Sequence, residues 1–189
     1  MNKTDMLKLL KEKVCDCRKC PLLVENRTQI VFDSGNCNAK LLILAEAPGR
    51  EEDIKGEVLV GRSGLLFNNI LKACGWERTK DVYLCNILKC RPPGNRPPTK
   101  EEADNCARFL RLQIKVIHPK IIICLGAIAT KYLLQIDKSI SNLRGIWHEY
   151  NGIPVMPTFH PAFLLRNPKY KEIVWEDMRK VIEKINQDS

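Results

Sequence analysis

No stretch of this chain approaches the roughly 20 consecutive apolar residues that a membrane-spanning helix needs. Its longest apolar runs lie around Leu41–Ala45 and Ile121–Leu125. The opening segment, MNKTDMLKLLKEK, lacks the apolar centre of a secretion signal and reads as an amphipathic helix. A soluble cytoplasmic protein without a membrane partner is therefore expected. Internal repeats and low-complexity tracts are also missing, which argues against a solenoid or a compositionally biased linker. An even cysteine count is missing too: there are nine, with no export signal. That speaks against a disulfide framework and leaves a metal or cluster site built from some of the thiols, with the others buried as small apolar groups.

What is present fits one folded unit. The 189 residues are 44% apolar, enough for the core of a single domain spanning 1–189. The 31 basic residues outnumber the 22 acidic ones, a formal charge of +9. Such an excess favours a polyanionic partner, because neutralising phosphates releases counterions.

The apolar pattern alternates between strands and helices. Thr4 is placed to cap a first helix that runs to about Val14, with Leu7, Leu10 and Val14 on one face. Lys40-LLILA reads as a buried strand ending at Ala47-Pro48-Gly49, and Ser63 opens a helix that stops at Gly75. Asp81-VYLCNIL is a second strand, entering the irregular basic segment Cys90-RPPGNRPP. Thr99-Lys-Glu-Glu102 has capping-box spacing, and the helix after it puts Ala103, Cys106, Ala107, Leu110 and Ile114 on an inward stripe. Lys120-IIICLG is a third strand, followed by a helix through Ala127 and Leu134, strands at Gly145-IWHEY and Ile153-PVMPTF, and a helix from about Ile173 to Ile185. This order predicts an α/β fold, a three-layer α/β/α sandwich around a mostly parallel sheet, whose ligands sit beyond the carboxyl ends of the strands. Three chemically suggestive segments follow strands and so converge on one cleft: Glu46 to Gly49, Asn86 to Arg91, and His160-Pro161-Ala162.

Cys17-x2-Cys20 is a chelating pair suited to zinc or to an iron-sulfur cluster. Cys90, at the start of an irregular loop, and Cys106, on an inward helical face, are placed to complete it, while Cys15 competes with Cys17. Cys37, Cys74, Cys85 and Cys124 lie in or beside apolar runs and read as buried thiols.

These residues carry a resemblance. Cys17-x2-Cys20-Pro-Leu, Arg27-Thr28-Gln29-Ile-Val-Phe, Glu46-Ala47-Pro48-Gly49-x2-Glu52-Asp53, Val60-Gly61-x2-Gly64, Asn86-Ile-Leu-Lys-Cys90-Arg91-Pro92-Pro93 and Phe159-His160-Pro161-Ala162-x-Leu164-Leu165-Arg166 together resemble the family-four uracil-DNA glycosylases, over nearly the whole chain and in order. The resemblance implies a three-layer α/β/α fold, a monomer working on prokaryotic nucleoid DNA with uracil-containing DNA as its partner, and a four-iron four-sulfur cluster on Cys17, Cys20, Cys90 and Cys106, chiefly structural. It thereby prefers iron-sulfur to zinc, a choice that spacing alone leaves open.

An enzyme that breaks the bond between a base and its sugar in duplex DNA must first extrude the nucleotide. The resemblance implies that Asn86 reads the uracil edge, since its amide offers both a donor and an acceptor. His160 is implied to stabilise charge developing on the departing base, and Glu46 to position a water or stabilise the cationic sugar. Ala47, Pro48 and Gly49 would allow close backbone approach to the base, and Leu59 would lie against its face. Leu164, Leu165 and Arg166 are implied to enter the minor groove as a wedge, and Lys89, Arg91 and Arg96 to meet phosphates. Each has a plainer reading: a strand-end cap for Asn86, a backbone-bonded loop residue for His160, a helix start for 164–166 and a solvated loop for the cations.

Two positions depart from the family pattern. Leu59 stands where an aromatic residue is usual, removing a stacking face worth on the order of 1 kcal/mol. Ala45 replaces the more usual glycine before Glu46. A glycosylase of altered base selectivity, or a cluster-containing DNA-binding or damage-sensing module without catalysis, are the alternatives these departures suggest. The cysteines alone also suit an electron-transfer protein.

Overall fold

The computed structural model describes residues 1–187. Six strands form one sheet: β1 (Ser34–Gly35), β2 (Leu41–Ala45), β3 (Val82–Asn86), β4 (Ile121–Leu125), β5 (His148–Tyr150) and β6 (Ile153–Thr158). They lie in the order β1-β3-β2-β4-β6-β5. The inner four run parallel, and β1 and β5 join antiparallel at the two edges. The helices are α1 (Lys3–Cys15), α2 (Pro21–Asn26), α3 (Arg50–Lys55), α4 (Arg62–Ala73), α5 (Lys100–Ile117), α6 (Gly126–Leu134), α7 (Ile140–Leu143), α8 (Pro161–Arg166) and α9 (Lys171–Gln187).

Alternation along the strands explains the layers. Successive strand residues face opposite sides of a sheet. Leu42, Leu44, Tyr83, Cys85, Ile122 and Cys124 pack with Leu7, Leu10 and Val14 of α1 and with Phe109, Leu110 and Ile114 of α5. Their neighbours Leu41, Ile43, Val82, Leu84, Ile121 and Ile123 pack on the other face, with Phe67 and Leu71 of α4 and Val174, Met178 and Val181 of α9. All five residues of each of β2, β3 and β4 are consequently buried, which is why those segments read as unbroken apolar runs. The result is the expected α/β sandwich. Among the described residues no helix is long and apolar enough to cross a membrane.

Several element boundaries move. α1 is capped by Asn2, whose side chain accepts from the Asp5 N–H at 2.9 Å, so Thr4 lies inside the helix. Thr99 and Glu102 form the expected capping box at the start of α5. The short helices α2, α3 and α7, six residues or fewer, carry no clear signal in the sequence, while α8 places 164–166 in a helix, their plainer reading. Each is too brief to show a full period of apolar spacing. Cys74, Cys85 and Cys124 are buried as expected; Cys37 is only half-buried, with its sulfur 3.5 Å from the Thr4 hydroxyl.

Candidate active site and cysteine site

The parallel strands β2, β3 and β6 all end at one edge of the sheet, and the chain after each contributes to a single cavity of about 480 Å³. Beyond β2 come Glu46, Ala47, Pro48 and Gly49; at the end of β3 lies Asn86; beyond β6 lies His160. Leu59, Arg96, Ala162 and Arg166 complete much of the wall. The pairing of Ala45 with Asn86 in adjacent parallel strands fixes the first two of these ends side by side.

Asn86 is 2% exposed, and its amide nitrogen has no hydrogen-bond partner among the described residues. Burying such a donor unpaired costs about 1–3 kcal/mol, and native proteins rarely retain one without a use. The plainer role of strand-end cap is therefore not what this nitrogen performs.

His160 caps α8, its Nδ1 accepting from the Ala162 N–H at 3.1 Å. An acceptor at Nδ1 puts the proton of the neutral ring on Nε2, leaving that N–H available as a donor. Burial in the cavity lowers the imidazole pKa to about 4, so the ring is neutral at physiological pH. Gly126, at φ +89, leaves room for it: a Cβ there would stand 3.2 Å from that of His160. Burial pushes the Glu46 carboxyl in the opposite direction, above its ordinary value.

Glu52 also lines the cavity and was not singled out from the sequence beyond its place in a motif. It is buried, and its carboxylate accepts from Gly49 N–H at 3.1 Å, Val60 N–H at 2.9 Å and Gly61 N–H at 2.8 Å. Its spacing three residues after Gly49, the N-cap of α3, was the available signal.

Two expected DNA contacts are corrected. Lys89 is 0% exposed; its ammonium folds back to donate to the Asn86 carbonyl at 2.7 Å and lies beside the Phe32 ring. It supports the β3 end from inside and cannot reach a phosphate. Leu164 is likewise fully buried, on the face of α8 that packs against the α4 and α9 layer. Its neighbour Leu165 is 40% exposed and Arg166 is exposed at the cavity rim. Arg91 is half-buried and bonds the Asn95 side chain. Arg96 borders the cavity, but both of its terminal nitrogens are held by Glu102, at 2.8 and 2.7 Å.

The N-terminal cysteines meet the later pair beside this cleft. Cys17 and Cys20 are half-buried, Cys90 and Cys106 buried, and Cys15 exposed. Cys20 feels the charge of Cys17, Cys90 that of Cys17 and Cys20, and Cys106 that of Cys90 and Cys20, which marks the four as neighbours. Donors point at their sulfurs: the Arg27 guanidinium at Cys90 Sγ, 3.0 Å, and the Asn105 amide at Cys20 Sγ, 3.6 Å. Burial raises the thiols of Cys20 and Cys90 and pushes Cys106 up to about 11.

Comparison with known proteins gives a consistent result. The model of the uracil DNA glycosylase superfamily matches residues 32–179. The type-4 uracil-DNA glycosylase of Thermotoga maritima is 42% identical over 180 residues, covering 93% of both chains. That of Archaeoglobus fulgidus is 37% identical, over 90% of this chain and 89% of the relative. A type-5 uracil-DNA glycosylase of Pyrobaculum aerophilum is more distant, 24% identical over 94% of this chain and 91% of its own. By both the superfamily match and the near-complete coverage of its type-4 relatives, the chain belongs to the uracil-DNA glycosylase superfamily and, within it, to the type-4 uracil-DNA glycosylases.

Proposed function

We propose that this protein hydrolyses the N-glycosidic bond between uracil and deoxyribose in DNA, leaving an abasic site for repair. The observation that carries the proposal is the unpartnered, buried Asn86 amide nitrogen, standing in one cavity with Glu46 and the neutral His160. A cavity of about 480 Å³ accommodates a base extruded from the duplex. There the Asn86 amide donates to the uracil O4 and accepts from N3–H, the pairing that cytosine, with its donor and acceptor exchanged, cannot make. As the bond lengthens, negative charge grows on the base; the His160 Nε2–H donates to the O2 carbonyl and stabilises it. Glu46 orients the attacking water and offsets the positive charge on the sugar, and Ala47 to Gly49 bring the backbone close to the base. Leu59 covers one face of the ring. Leu165 fills the gap left in the duplex, with Arg166 and Arg91 toward the phosphates and Arg96 oriented by Glu102.

Cys17, Cys20, Cys90 and Cys106 would hold a four-iron four-sulfur cluster. The donor set fits it: four cysteines that neighbour one another, with N–H groups directed at two of the sulfurs, where they would stabilise thiolate charge. No three His, Cys, Asp or Glu side chains among the described residues are grouped to hold a single ion. When bound, the cluster ties the N-terminal segment to the Cys90 loop and α5. We expect a brown protein with a broad visible absorption band, which acid or chelator bleaches; a colourless zinc protein would contradict the assignment. The protein is read as a monomer acting on nucleoid DNA in the cytoplasm.

The test is incubation with an oligonucleotide bearing a single uracil, followed by alkali. Strand cleavage at the uracil, with none at a thymine control, is the expected result. A strand as intact as the control would reject the activity, and binding without cleavage would favour the damage-sensing alternative.

A further inference from the structure

The cavity wall formed by residues 58–61 is held in a conformation it would not adopt unaided. Leu59 is buried, with φ at +52, the left-handed region that L side chains other than Asn and Asp seldom enter. A charged group grips this segment from each side. Arg78, which does not itself line the cavity, donates to the carbonyls of Val58 and Leu59, the latter at 3.0 Å. The same guanidinium is anchored to Asn68 Oδ1 on α4 at 3.1 Å and to Ser34 Oγ on β1 at 3.0 Å. Glu52 accepts from the next two amides, Val60 and Gly61, through one oxygen, while its other oxygen holds Gly49 on the facing wall. A third feature makes room: a Cβ at Gly64 would lie 1.9 Å from the Leu59 carbonyl oxygen, so only glycine lets that carbonyl rest on the α4 backbone.

A loop whose only task was to join α3 to α4 would relax Leu59 to an extended backbone. Here a cation on the carbonyls, an anion on the amides and a glycine beneath the turn all oppose that relaxation. With its carbonyl held by Arg78, Leu59 is kept at the cavity wall.

We propose that Arg78 and Glu52 are paired positioning residues that clamp residues 58–61 and so press the Leu59 side chain against the face of the extruded base. The proposal rests on the glycosylase reading above. In a chain with no aromatic ring at this position, a fixed leucine is the available platform, and rigidity substitutes for some of the missing contact area. The clamp also joins the two walls through one carboxylate, so the spacing between the Gly49 loop and Leu59 is set by Glu52.

A double-mutant cycle separates positioning from simple support of the fold. Single-turnover uracil release is measured for the wild type, Arg78→Gln, Leu59→Ala and the double variant, each at a temperature well below its unfolding midpoint. Arg78→Gln and Leu59→Ala are each expected to slow release by about tenfold, and the double variant to be no slower than Leu59→Ala alone, because coupled residues are not additive. Weaker inhibition by free uracil should accompany the loss in Arg78→Gln. Multiplying effects, giving about a hundredfold loss in the double variant, would overturn the clamp while leaving the glycosylase reading intact. A wild type that releases no uracil would remove the glycosylase reading and the clamp with it. Should Arg78→Gln not fold, Arg78→Lys takes its place in the cycle. Hydrogen exchange on the wild type then gives a further check: the Val60 and Gly61 amides should be protected, and free exchange at both would overturn the clamp.

Discussion

Two polar side chains are wholly withdrawn from water beside the same sheet, and the protein treats them in opposite ways. Asp177, on α9, is surrounded by donors: Arg144 bonds both of its oxygens, Nε at 2.9 Å, and the Thr158 hydroxyl adds another at 2.7 Å. Asn86, at the end of β3, has an amide nitrogen that no group among the described residues meets. Thr158 ends β6 just ahead of His160, so the satisfied carboxylate sits behind the cavity and the unsatisfied amide within it. The fold is plainly able to satisfy a buried polar group where support is the purpose. Leaving one unmet at the cavity marks a place where the missing partner comes from outside. Among the described residues Gln113 Oε1 is the other unmet buried side-chain atom, but it belongs to the opposite layer, beside Phe32 and Tyr83, and does not border this cavity.

This contrast is open to test. The largest effect is expected from Asp177→Ala, which leaves the Arg144 guanidinium without its partner and should lower stability by about 3–5 kcal/mol in denaturant titration. Excision per folded molecule should survive; equal loss of activity and stability would erase the distinction between the two regions. Next, His160→Ala should cut the single-turnover rate by about a hundredfold, in line with removal of one preorganised donor, without a matching fall in the unfolding midpoint.

A smaller effect concerns pH. His160 moves from an ordinary 6.5 down to about 4 on folding, so below 6.5 the unfolded chain takes up a proton that the folded chain refuses. Its contribution to stability is complete above pH 6.5 and is lost as pH falls from there toward 4. The unfolding midpoint of His160→Asn should therefore depend less on pH across that interval than the wild type's; parallel curves would contradict the buried neutral ring. The acid limb of excision should follow Glu46, whose carboxyl burial has raised, and should flatten in Glu46→Gln. The smallest change is expected from Leu59→Phe, which restores a stacking face and should speed excision by about fivefold, or roughly 1 kcal/mol.

The sandwich was legible because burial on both faces writes continuous apolar strands, and because Thr99 and Glu102 form a capping box in the letters themselves. The meeting of Glu46, Asn86 and His160 followed from one rule, that parallel strands deliver their next residues to the same edge. Lys89 and Leu164 were misplaced because a motif orders residues along the chain and does not say which way they face. Lys89 turns inward to the carbonyl of Asn86, and Leu164 points into the core while Leu165 does not. Arg78 was invisible for a different reason: its partners are backbone carbonyls some twenty residues earlier, and carbonyls carry no sequence signal.

The central claim is that the free Asn86 amide exists to bind a base. It is tested by measuring, in the same preparations, uracil release and the unfolding midpoint of wild type and Asn86→Ala. The account predicts that release falls by about a hundredfold or more while the midpoint holds or rises, since an unmet polar group is removed. Near-normal release from Asn86→Ala, or a collapse of its midpoint, would contradict it.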